Sequence, residues 1–467
     1  MDRLKRWAPL LLVVAAIFSL LLFPLMDGLI ARQRGRWAAM HHNPTEAARL
    51  LERAARRLPS ASALWEEAGL AAYRAGEYAQ AIRLLEEARA RQALTAEGWD
   101  ALGLLYWKQN EPSLALARWQ EALNHLGPSA QIYTRLALAY RHLENWSGEQ
   151  EALERWVELK GDDAYAHYRL GLLLLSEDPD RAATELALAA LLDRRLEPAV
   201  VSLSAALSAA RSIERPSERH LLLARALGAV KEWKLALRLF ERAVQEDPQN
   251  GEALAWLAEA RQQMGQPLQD ELDRAKRLAP RSPTVHLLRG LHALRNGQNA
   301  QAVIEFRQAS ELQPHEAAIW IALGEAYAQL GDLALAFSAY QRATQLAPSK
   351  AETWRALATF CATYGIALEE EGLAAARQAV ILQPDDPRNL DTLGWLLMLN
   401  GDLESAERAL LQALDLWPDL ASAHLHLGLL YTYRGRLQEA QTHLREVIRL
   451  EPESPLAETA RRMLGTP

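Results

Sequence analysis

Cysteine is nearly absent from this chain of 467 residues, because Cys361 is the only one. A single cysteine forms neither an internal disulfide nor a cysteine-based zinc site, so it indicates no redox compartment. Its position far from the amino terminus also excludes a lipoprotein signal. Segments of similar sequence elsewhere in the chain carry tyrosine at the position of Cys361. We therefore expect Cys361 to be a buried packing residue and not a nucleophile.

Recognisable catalytic motifs are missing as well. The sequence contains no phosphate-binding loop, dinucleotide fingerprint, nucleophile elbow or positioned acid–base pair. His41 and His42 are adjacent and diverge on a helix, so they predict no metal site. The net charge of −7 gives no reason to expect nucleic acid. We predict a protein that is not an enzyme, with no cofactor, no bound metal and no evident small-molecule substrate.

What the sequence does contain is a short pattern that recurs every 34 residues along most of the chain. Apolar residues at helical spacing, a glycine that ends a first helix and a proline that ends a second predict two antiparallel helices per copy. Gly324 and Ala336 are expected where the two helices must come close. The clearest copy starts at Ala317 and comprises Trp320, Leu323, Gly324, Tyr327, Gly331, Ala336, Tyr340, Ala343 and Pro348.

Further copies start at Ala96 and Ala421 and carry similar residue types. His286 and His424 occupy the position of Trp320 in their own copies, which favours packing over metal binding. A unit of this length and composition resembles the tetratricopeptide repeat, and the resemblance covers about nine tenths of the chain. The resemblance implies an all-α fold, a right-handed α-solenoid of helix-turn-helix hairpins that usually holds other proteins.

The repeats organise the chain into segments. We predict an N-terminal tail and transmembrane helix over residues 1–27, then an array of about five units over residues 28–197, the first of them degenerate. A second array of about seven units covers residues 217–454. Residues 198–216 fit no whole unit and form either an odd helix that introduces a bend or a degenerate repeat that packs normally. Residues 455–467 are expected to be a C-terminal capping helix.

Residues 8–26 are almost wholly apolar, with Ser19 as the only polar side chain. A helix of this length spans roughly 28 Å, close to the hydrocarbon thickness of a bilayer. A cleaved signal peptide would need a shorter apolar run and a small-residue cleavage site, so we predict an uncleaved anchor and a single-pass membrane protein. The basic residues that flank the apolar run are equal in number on its two sides, so the positive-inside rule does not decide the orientation. We expect the repeats outside the cytoplasm slightly more than inside it.

Basic residues concentrate near the amino terminus. Up to Ala61 there are ten Lys and Arg residues and four Asp and Glu residues, a net charge of +6. A basic stretch beside a membrane segment can lie near anionic lipid headgroups. For residues 49–57 we expect ordinary solvated helix surface instead.

The family resemblance also implies a binding site. In this family the first helix of each unit lines a concave groove through its second, fifth, sixth, ninth, twelfth and thirteenth positions. The alternative is that these side chains pack against the next unit and meet no partner. The predicted partner-binding residues are Tyr73, Arg74, Trp107, Lys108, Arg135, Arg141, His142, Tyr165, Tyr168, Arg169, Trp395, Met398, His426 and Tyr433.

The resemblance and the apolar segment together lead to a functional expectation. We expect a membrane-anchored scaffold or adaptor that binds protein or peptide partners in the groove, in the assembly of a membrane or envelope complex. The alternative is a structural subunit of a larger membrane complex, held by its convex surface or its termini.

Overall fold

The computed structural model describes residues 22–268 and 270–465 of the chain. All regular secondary structure in these residues is helical, which confirms the all-α prediction. Contacts between residues divide the chain into two units, with the boundary between Glu214 and Arg215. Each unit consists largely of antiparallel helical hairpins. The right-handed winding of the arrays stays a prediction.

In the first unit, residues 22–40 are helical and are called α1. Successive helices pair into hairpins, α1 with α2, α3 with α4, and so on to α10, after which α11 packs on α10. The other helices of this unit are α2 (Pro44–Arg57), α3 (Ala63–Arg74), α4 (Tyr78–Ala90), α5 (Ala96–Lys108), α6 (Pro112–Leu126), α7 (Ala130–His142), α8 (Trp146–Leu159), α9 (Ala164–Leu174), α10 (Pro179–Leu192), a 3-10 turn (Arg194–Leu196) and α11 (Glu197–Ala210). Helix α11 therefore covers most of the segment 198–216.

The second unit repeats the arrangement and ends with a single helix, α26, that packs on α24 and α25. Its helices are α12 (Pro216–Ala229), α13 (Trp233–Glu246), α14 (Gly251–Gln263), α15 (Glu271–Leu278), α16 (Pro283–Arg295), α17 (Asn299–Leu312), α18 (Ala317–Leu330), α19 (Leu333–Leu346), α20 (Ala351–Tyr364), α21 (Leu373–Leu382), α22 (Pro387–Leu399), α23 (Leu403–Leu416), α24 (Ala421–Tyr433), α25 (Leu437–Leu450) and α26 (Pro455–Leu464).

A glycine at the eighth position of many repeats lets the two helices of a hairpin touch. A Cβ atom added at Gly290 would lie 2.4 Å from Cε1 of Phe306, and one added at Gly324 would lie 3.0 Å from the Tyr340 ring. The first distance is too short for any side chain, and the second leaves almost no slack. The prediction that the two helices come close at Gly324 is therefore confirmed.

The fifteenth position of most repeats follows the first helix with left-handed backbone. Gly331 has a φ angle of +90° at this position, and Gly76 has +79°. His42 and Asn110 also adopt it, with φ angles of +56° and +61°, although neither is glycine. Because L residues rarely adopt this conformation, the backbone itself marks the repeat frame even where the residue type does not.

The fourth position of several repeats carries a ring nitrogen that bonds back to the end of the preceding hairpin. Trp320 donates from Nε1 to the carbonyl oxygen of Pro314 at 3.0 Å. His286 donates from Nε2 to the carbonyl of Pro280 at 3.0 Å, and His424 makes the same type of bond. These bonds satisfy carbonyls near a helix end and confirm that both histidines are packing residues.

Two repeats differ in length from the others. The repeat that starts at Gly251 is shorter, and its second helix, α15, has only eight residues. The repeat that starts at Ala351 is longer, and the sequence predicts an extra loop around its three consecutive glutamates. That prediction is wrong, because Leu368–Gly372 forms a π-helical turn. The N–H groups of Glu371 and Gly372 both donate to the carbonyl of Ala367, so hydrogen bonding continues into α21.

The predicted membrane span comprises residues 8–26, and residues 8–21 of it lie outside the described residues. Residues 22–26 belong to α1, where Phe23 and Met26 are exposed. Between residues 22 and 465, leaving aside Gln269, we find no helix with the length and apolar character needed to cross a bilayer.

Candidate partner-binding groove

The first helices of neighbouring hairpins lie side by side within each unit. In the first unit α3 contacts α5, and in the second unit α14, α16, α18, α20, α22 and α24 contact one another in turn. We call the surface that these first helices form in each unit the groove face. The second, fifth, sixth, ninth, twelfth and thirteenth positions of the repeats are its predicted lining.

An aromatic and cationic cluster combines Tyr73 of α3 and Lys108 of α5, both at groove positions, with Tyr78 of α4. The Lys108 Nζ atom lies 5.4 Å from the centre of the Tyr73 ring and 4.8 Å from that of Tyr78. It also donates a hydrogen bond to the Tyr78 hydroxyl at 3.3 Å, and this bond is the main cause of a raised pKa for Lys108. Lys108 makes no ion pair within residues 22–268 and 270–465. The cluster thus presents a cation that lies against two aromatic rings and has no acidic partner in these residues.

The remaining aromatic residues of this face connect successive hairpins. The Trp107 ring packs edge-on against His142, with their centres 5.1 Å apart. The Tyr165 hydroxyl accepts a hydrogen bond from Arg141 at 2.7 Å, and the Tyr165 ring lies beside Trp156. The predicted residues are therefore brought together, but largely through contacts between neighbouring repeats, as the alternative interpretation holds.

Ion pairs neutralise part of the predicted basic character. Arg135 donates from Nε to Asp100 at 2.8 Å, and Arg74 pairs with Glu97 at 2.7 Å. Each carboxylate comes from the first helix of an adjacent repeat, so the two pairs also fix the spacing between repeats. The pair of Arg74 and Glu97 is exposed, and pairs of this kind contribute little to stability and are screened by salt.

Arg169 does not lie on the surface. Its Nε atom is 2.6 Å from the Glu149 carboxylate, and the two side chains are only 2% and 1% exposed. The neighbouring Tyr168 is half-buried. The sequence places Arg169 at a groove position, and the structure corrects this, because the acidic partner on the second helix of the preceding repeat draws the guanidinium into the interior.

His426 is a second correction, in the last repeats. Its Nδ1 atom lies 2.7 Å from the Asp391 carboxylate, and both side chains are less than a tenth exposed. The ring stacks on Trp395 with centres 4.6 Å apart. The contact binds α24 to α22, so the structure gives His426 a packing role in place of the predicted contact with a partner.

Met398 and Tyr433 line an open apolar cleft in the same region. The cleft has a volume of about 400 Å³ and is completed by Leu399, Leu403 and Leu429. Tyr433 is 79% exposed. A large aromatic side chain that is left so exposed beside an apolar cleft is the arrangement expected of an interface anchor.

Sequence reasoning missed a similar cleft on α1. It has a volume of about 530 Å³, and Leu29, Trp37 and Met40 form its apolar part. Trp37 and Met40 are 62% and 74% exposed. Counting the groove positions from Gly28 would have found Leu29 and Met40, but the first unit is predicted to be degenerate and contributes none of the predicted partner-binding residues.

Chemistry-bearing side chains do not form a centre of their own in the described residues. Between residues 22 and 465, Gln269 apart, no group of three or more His, Cys, Asp or Glu side chains is arranged to hold a metal ion. Cys361 is buried, as expected, and burial raises the pKa of its thiol to about 11. The thiol is therefore protonated at neutral pH, which suits a packing residue.

Comparison with known protein families identifies the repeat. A family model described as tetratricopeptide repeat matches residues 32–95, 101–164, 287–351 and 392–455, which together exceed half of the chain. A second model with the same description matches residues 229–289. No curated relative matches the chain.

Solved structures with related helical arrays have low sequence identity to this chain. The crystal structure of yeast Tom70 is 16% identical and covers 79% of this chain and 96% of its own, with a TM-score of 0.41. YrrB, described as a repeat protein of this type with an unusual peptide-binding site, is 18% identical and covers 41% and 97%, with a TM-score of 0.30. The anaphase-promoting complex hetero-tetramer Cut9–Hcn1 is 18% identical and covers 95% and 98%, with a TM-score of 0.35. These similarities concern the fold alone, and the family models carry the assignment.

Proposed function

The chain belongs to the tetratricopeptide repeat family, and on that premise we propose that it is a non-catalytic, membrane-anchored scaffold. In this proposal the groove face binds protein or peptide partners during the assembly of a membrane or envelope complex. The observation that carries the proposal is the exposure of large apolar side chains beside two clefts, Met40 and Tyr433 at groove positions of α1 and α24, and Trp37 in the α1 cleft. Soluble surfaces rarely leave such residues beside open clefts unless another molecule covers them.

The chemistry of the groove face indicates the type of partner. The two clefts accept bulky apolar side chains, because leucine and methionine line both of them. The cluster of Lys108, Tyr73 and Tyr78 adds a positive charge and two rings on one side of the first unit. We therefore expect partner segments in which apolar anchors alternate with acidic residues.

The membrane anchor is part of the proposal. It comprises residues 8–26, and the apolar composition of this run supports it. The exposed side chains of Phe23, Leu25 and Met26 add support, because a helix surface of this composition is costly in water. We propose a single-pass membrane protein with the repeats slightly more expected outside the cytoplasm than inside it.

A comparison of tagged full-length variants, extracted from native membranes with detergent, tests groove binding. One variant carries Trp37→Ala with Met40→Ala, and another carries Met398→Ala with Tyr433→Ala. The matched control carries Leu191→Ala with Ile381→Ala, which truncates similarly exposed residues on the second helices α10 and α21. We expect partners recovered with the unmodified chain to fall roughly ten-fold or more with a groove variant and to persist with the control. Equal recovery in all variants would contradict groove binding.

The alternative function, a structural subunit held by its convex surface or termini, also has one observation in its favour. Leu191 on α10 is 80% exposed and does not belong to the groove face. A large complex that survives both groove variants in native sizing but dissociates in the Leu191→Ala, Ile381→Ala control would favour this function. The same set of variants therefore separates the two.

A further inference from the structure

Arginines at the end of α2 lie beside the residue that follows the proposed membrane span. The Arg53 Nε atom donates to Asp27 at 3.0 Å, and the Arg57 Nε atom lies 3.7 Å from the same carboxylate. The antiparallel hairpin of α1 and α2 causes this placement, because the carboxyl end of α2 returns to the start of the described part of α1. The sequence alone does not show this proximity, because Asp27 and Arg53 are 26 residues apart in the chain.

Positive charge is in excess at this end of the hairpin. Arg53, Arg56 and Arg57, which we call the arginine cluster, are each more than half exposed. The carboxylates they contact are Asp27 and Glu52, and Arg83 also donates to Glu52. Four guanidinium groups thus share two carboxylates, and an open cleft of about 380 Å³ lies between the side chains.

Helix α1 buries small residues against α2 and exposes large apolar ones near Asp27. It packs on α2 through small residues, since a Cβ added at Gly28 would lie 2.8 Å from Arg57 Cβ, and one at Gly35 would lie 2.8 Å from Leu51 Cγ. The large residues next to Asp27, such as Leu29 and Ile30, are left about half exposed. This distribution is the reverse of that in a water-soluble hairpin.

The distance between the proposed span and the arginine cluster determines which molecules the cluster can contact. Asp27 lies one residue, about 1.5 Å of helix rise, beyond the end of the proposed span. The headgroup layer on each side of a bilayer is roughly 5–8 Å thick. Side chains that contact Asp27 therefore fall within the headgroup layer, provided that the proposed anchor crosses the bilayer.

In place of the solvated helix surface expected from the sequence for residues 49–57, we propose that Arg53, Arg56 and Arg57 bind the phosphates of anionic lipid headgroups, so that the first hairpin is held against the membrane surface. The inference rests on the proposed anchor and adds a lipid preference to it. Guanidinium groups suit this role because they bind phosphate oxygens in a bidentate manner and are always charged. The surface potential of an anionic leaflet attracts each of them.

The full chain in lipid nanodiscs tests the proposal. A fluorophore is attached at Ser60→Cys, beside the arginine cluster, or at Thr45→Cys, at the other end of α2; both sites are exposed, whereas the native Cys361 is buried. Lipids with a spin label on the headgroup quench the fluorophore at short range. One set of discs contains phosphatidylcholine alone. In the other set, about one lipid in three is phosphatidylglycerol.

The test variant carries Arg53→Gln, Arg56→Gln and Arg57→Gln. The control carries Arg155→Gln, Arg181→Gln and Arg211→Gln, which removes three other ion-paired surface arginines of the same unit. We expect anionic lipid to increase quenching at Ser60 about two-fold in the unmodified chain and in the control, and high salt to reverse it. The test variant should show no increase, and the Thr45 site, roughly 20 Å away along α2, should change little.

Each other outcome has a defined meaning. Equal quenching at Ser60 in neutral and anionic discs, unchanged in the test variant, would overturn the lipid preference while leaving the anchor intact. A chain that separates from the discs on flotation in alkaline carbonate would instead refute the anchor, and with it the proposed function. Quenching that depends on whether a disc holds one chain or two would assign the arginine cluster to a second copy and overturn the proposal.

Discussion

The first hairpin, α1 with α2, and the hairpin of α16 with α17 share one frame but distribute their large side chains in opposite ways. In both, a glycine at the eighth position meets a large apolar residue of the second helix, Gly35 against Leu51 and Gly290 against Phe306. The contact between the two helices is therefore the same. The difference lies in what the rest of each first helix does.

Helix α16 buries its large apolar residues, such as Leu288 and Leu294, whereas α1 exposes Trp37 and Met40. Helix α16 has neighbouring first helices on both sides, α14 and α18. Helix α1 comes first among the described residues and has a following hairpin only. The frame thus determines where two helices touch, and the neighbours determine which other side chains are buried.

Charged side chains follow the same rule. Asp27 in the first hairpin is partly exposed and its arginine partners are more than half exposed, while the pair of Glu149 and Arg169 further along the first unit is buried. The first hairpin therefore exposes an apolar pair and an ion pair, whereas the apolar residues of α16 and the ion pair of Glu149 and Arg169 are buried.

The largest expected contrast comes from truncation of apolar side chains. Phe306→Ala should destabilise the second unit by about 3–5 kcal/mol, because it leaves a cavity beside Gly290 in a fully buried site. Trp37→Ala should change the free energy of unfolding by less than about 0.5 kcal/mol, since its side chain is mostly exposed. Urea unfolding in detergent measures both. A large loss for Trp37→Ala would contradict the exposed position of this side chain.

The buried ion pair gives the second contrast. Glu149→Gln should destabilise the first unit by about 3–5 kcal/mol, because Arg169 is left charged and buried. Asp27→Asn should cost about 1 kcal/mol or less, because its partners are exposed to water. Thermal unfolding at low and high salt checks the pair of values. The double variant Glu149→Leu, Arg169→Met should recover much of the loss, and failure to recover would indicate a polar role for the pair.

These contrasts show which features the sequence determines locally. The glycine and alanine positions, the helix-ending proline and the ring at position four depend only on residues within one repeat or its immediate neighbour. They predicted the hairpins, and the contacts of Gly324 and His286 confirm them. The burial of Arg169 could not be predicted in the same way, because its partner is Glu149 on the second helix of the previous repeat.

The groove face of α1 was missed for a different reason. Its apolar residues continue directly from the apolar run of residues 8–26, so composition alone does not separate a membrane-flanking helix from the first helix of a repeat. The backbone at His42 does, because it adopts the left-handed conformation found at Gly331 in an interior repeat. The turn imposes that conformation, and the presence of a histidine in the sequence gives no sign of it.

The pH dependence of stability should differ between buried and surface carboxylates. Burial alone would raise the pKa of Glu305, but hydrogen bonds from His286, Lys276 and Arg289 outweigh it and lower the pKa to about 2. A carboxylate with a lowered folded-state pKa stabilises the protein above its unfolded pKa, and this contribution is lost as the pH falls. We expect Glu305 to contribute about 3 kcal/mol at neutral pH, lost between about pH 4.5 and 2.

Comparison with Glu305→Gln measures this contribution, since the difference in unfolding free energy between the two proteins should shrink across that pH range. Glu46 in the first hairpin also has a lowered pKa, caused mainly by its hydrogen bond from Arg49. Because Glu46 lies at the surface, Glu46→Gln should have little effect at any pH and less in high salt. A difference between Glu305→Gln and the unmodified chain that stays constant with pH would contradict the assignment.

The smallest expected effects concern the left-handed turn position and should have opposite signs in the two kinds of hairpin. Gly331→Ala places a Cβ on left-handed backbone and should destabilise the second unit by about 1 kcal/mol. His42→Gly relieves the same strain and should stabilise the first hairpin by up to about 1 kcal/mol, less the gain in unfolded-state entropy that glycine brings. Hydrogen exchange of α1 and α2 amides detects the second change locally, because exchange reports the opening of individual segments. Destabilisation by His42→Gly would mean that the histidine ring, which neighbours the stacked pair of Trp37 and His41, holds the turn through its own contacts.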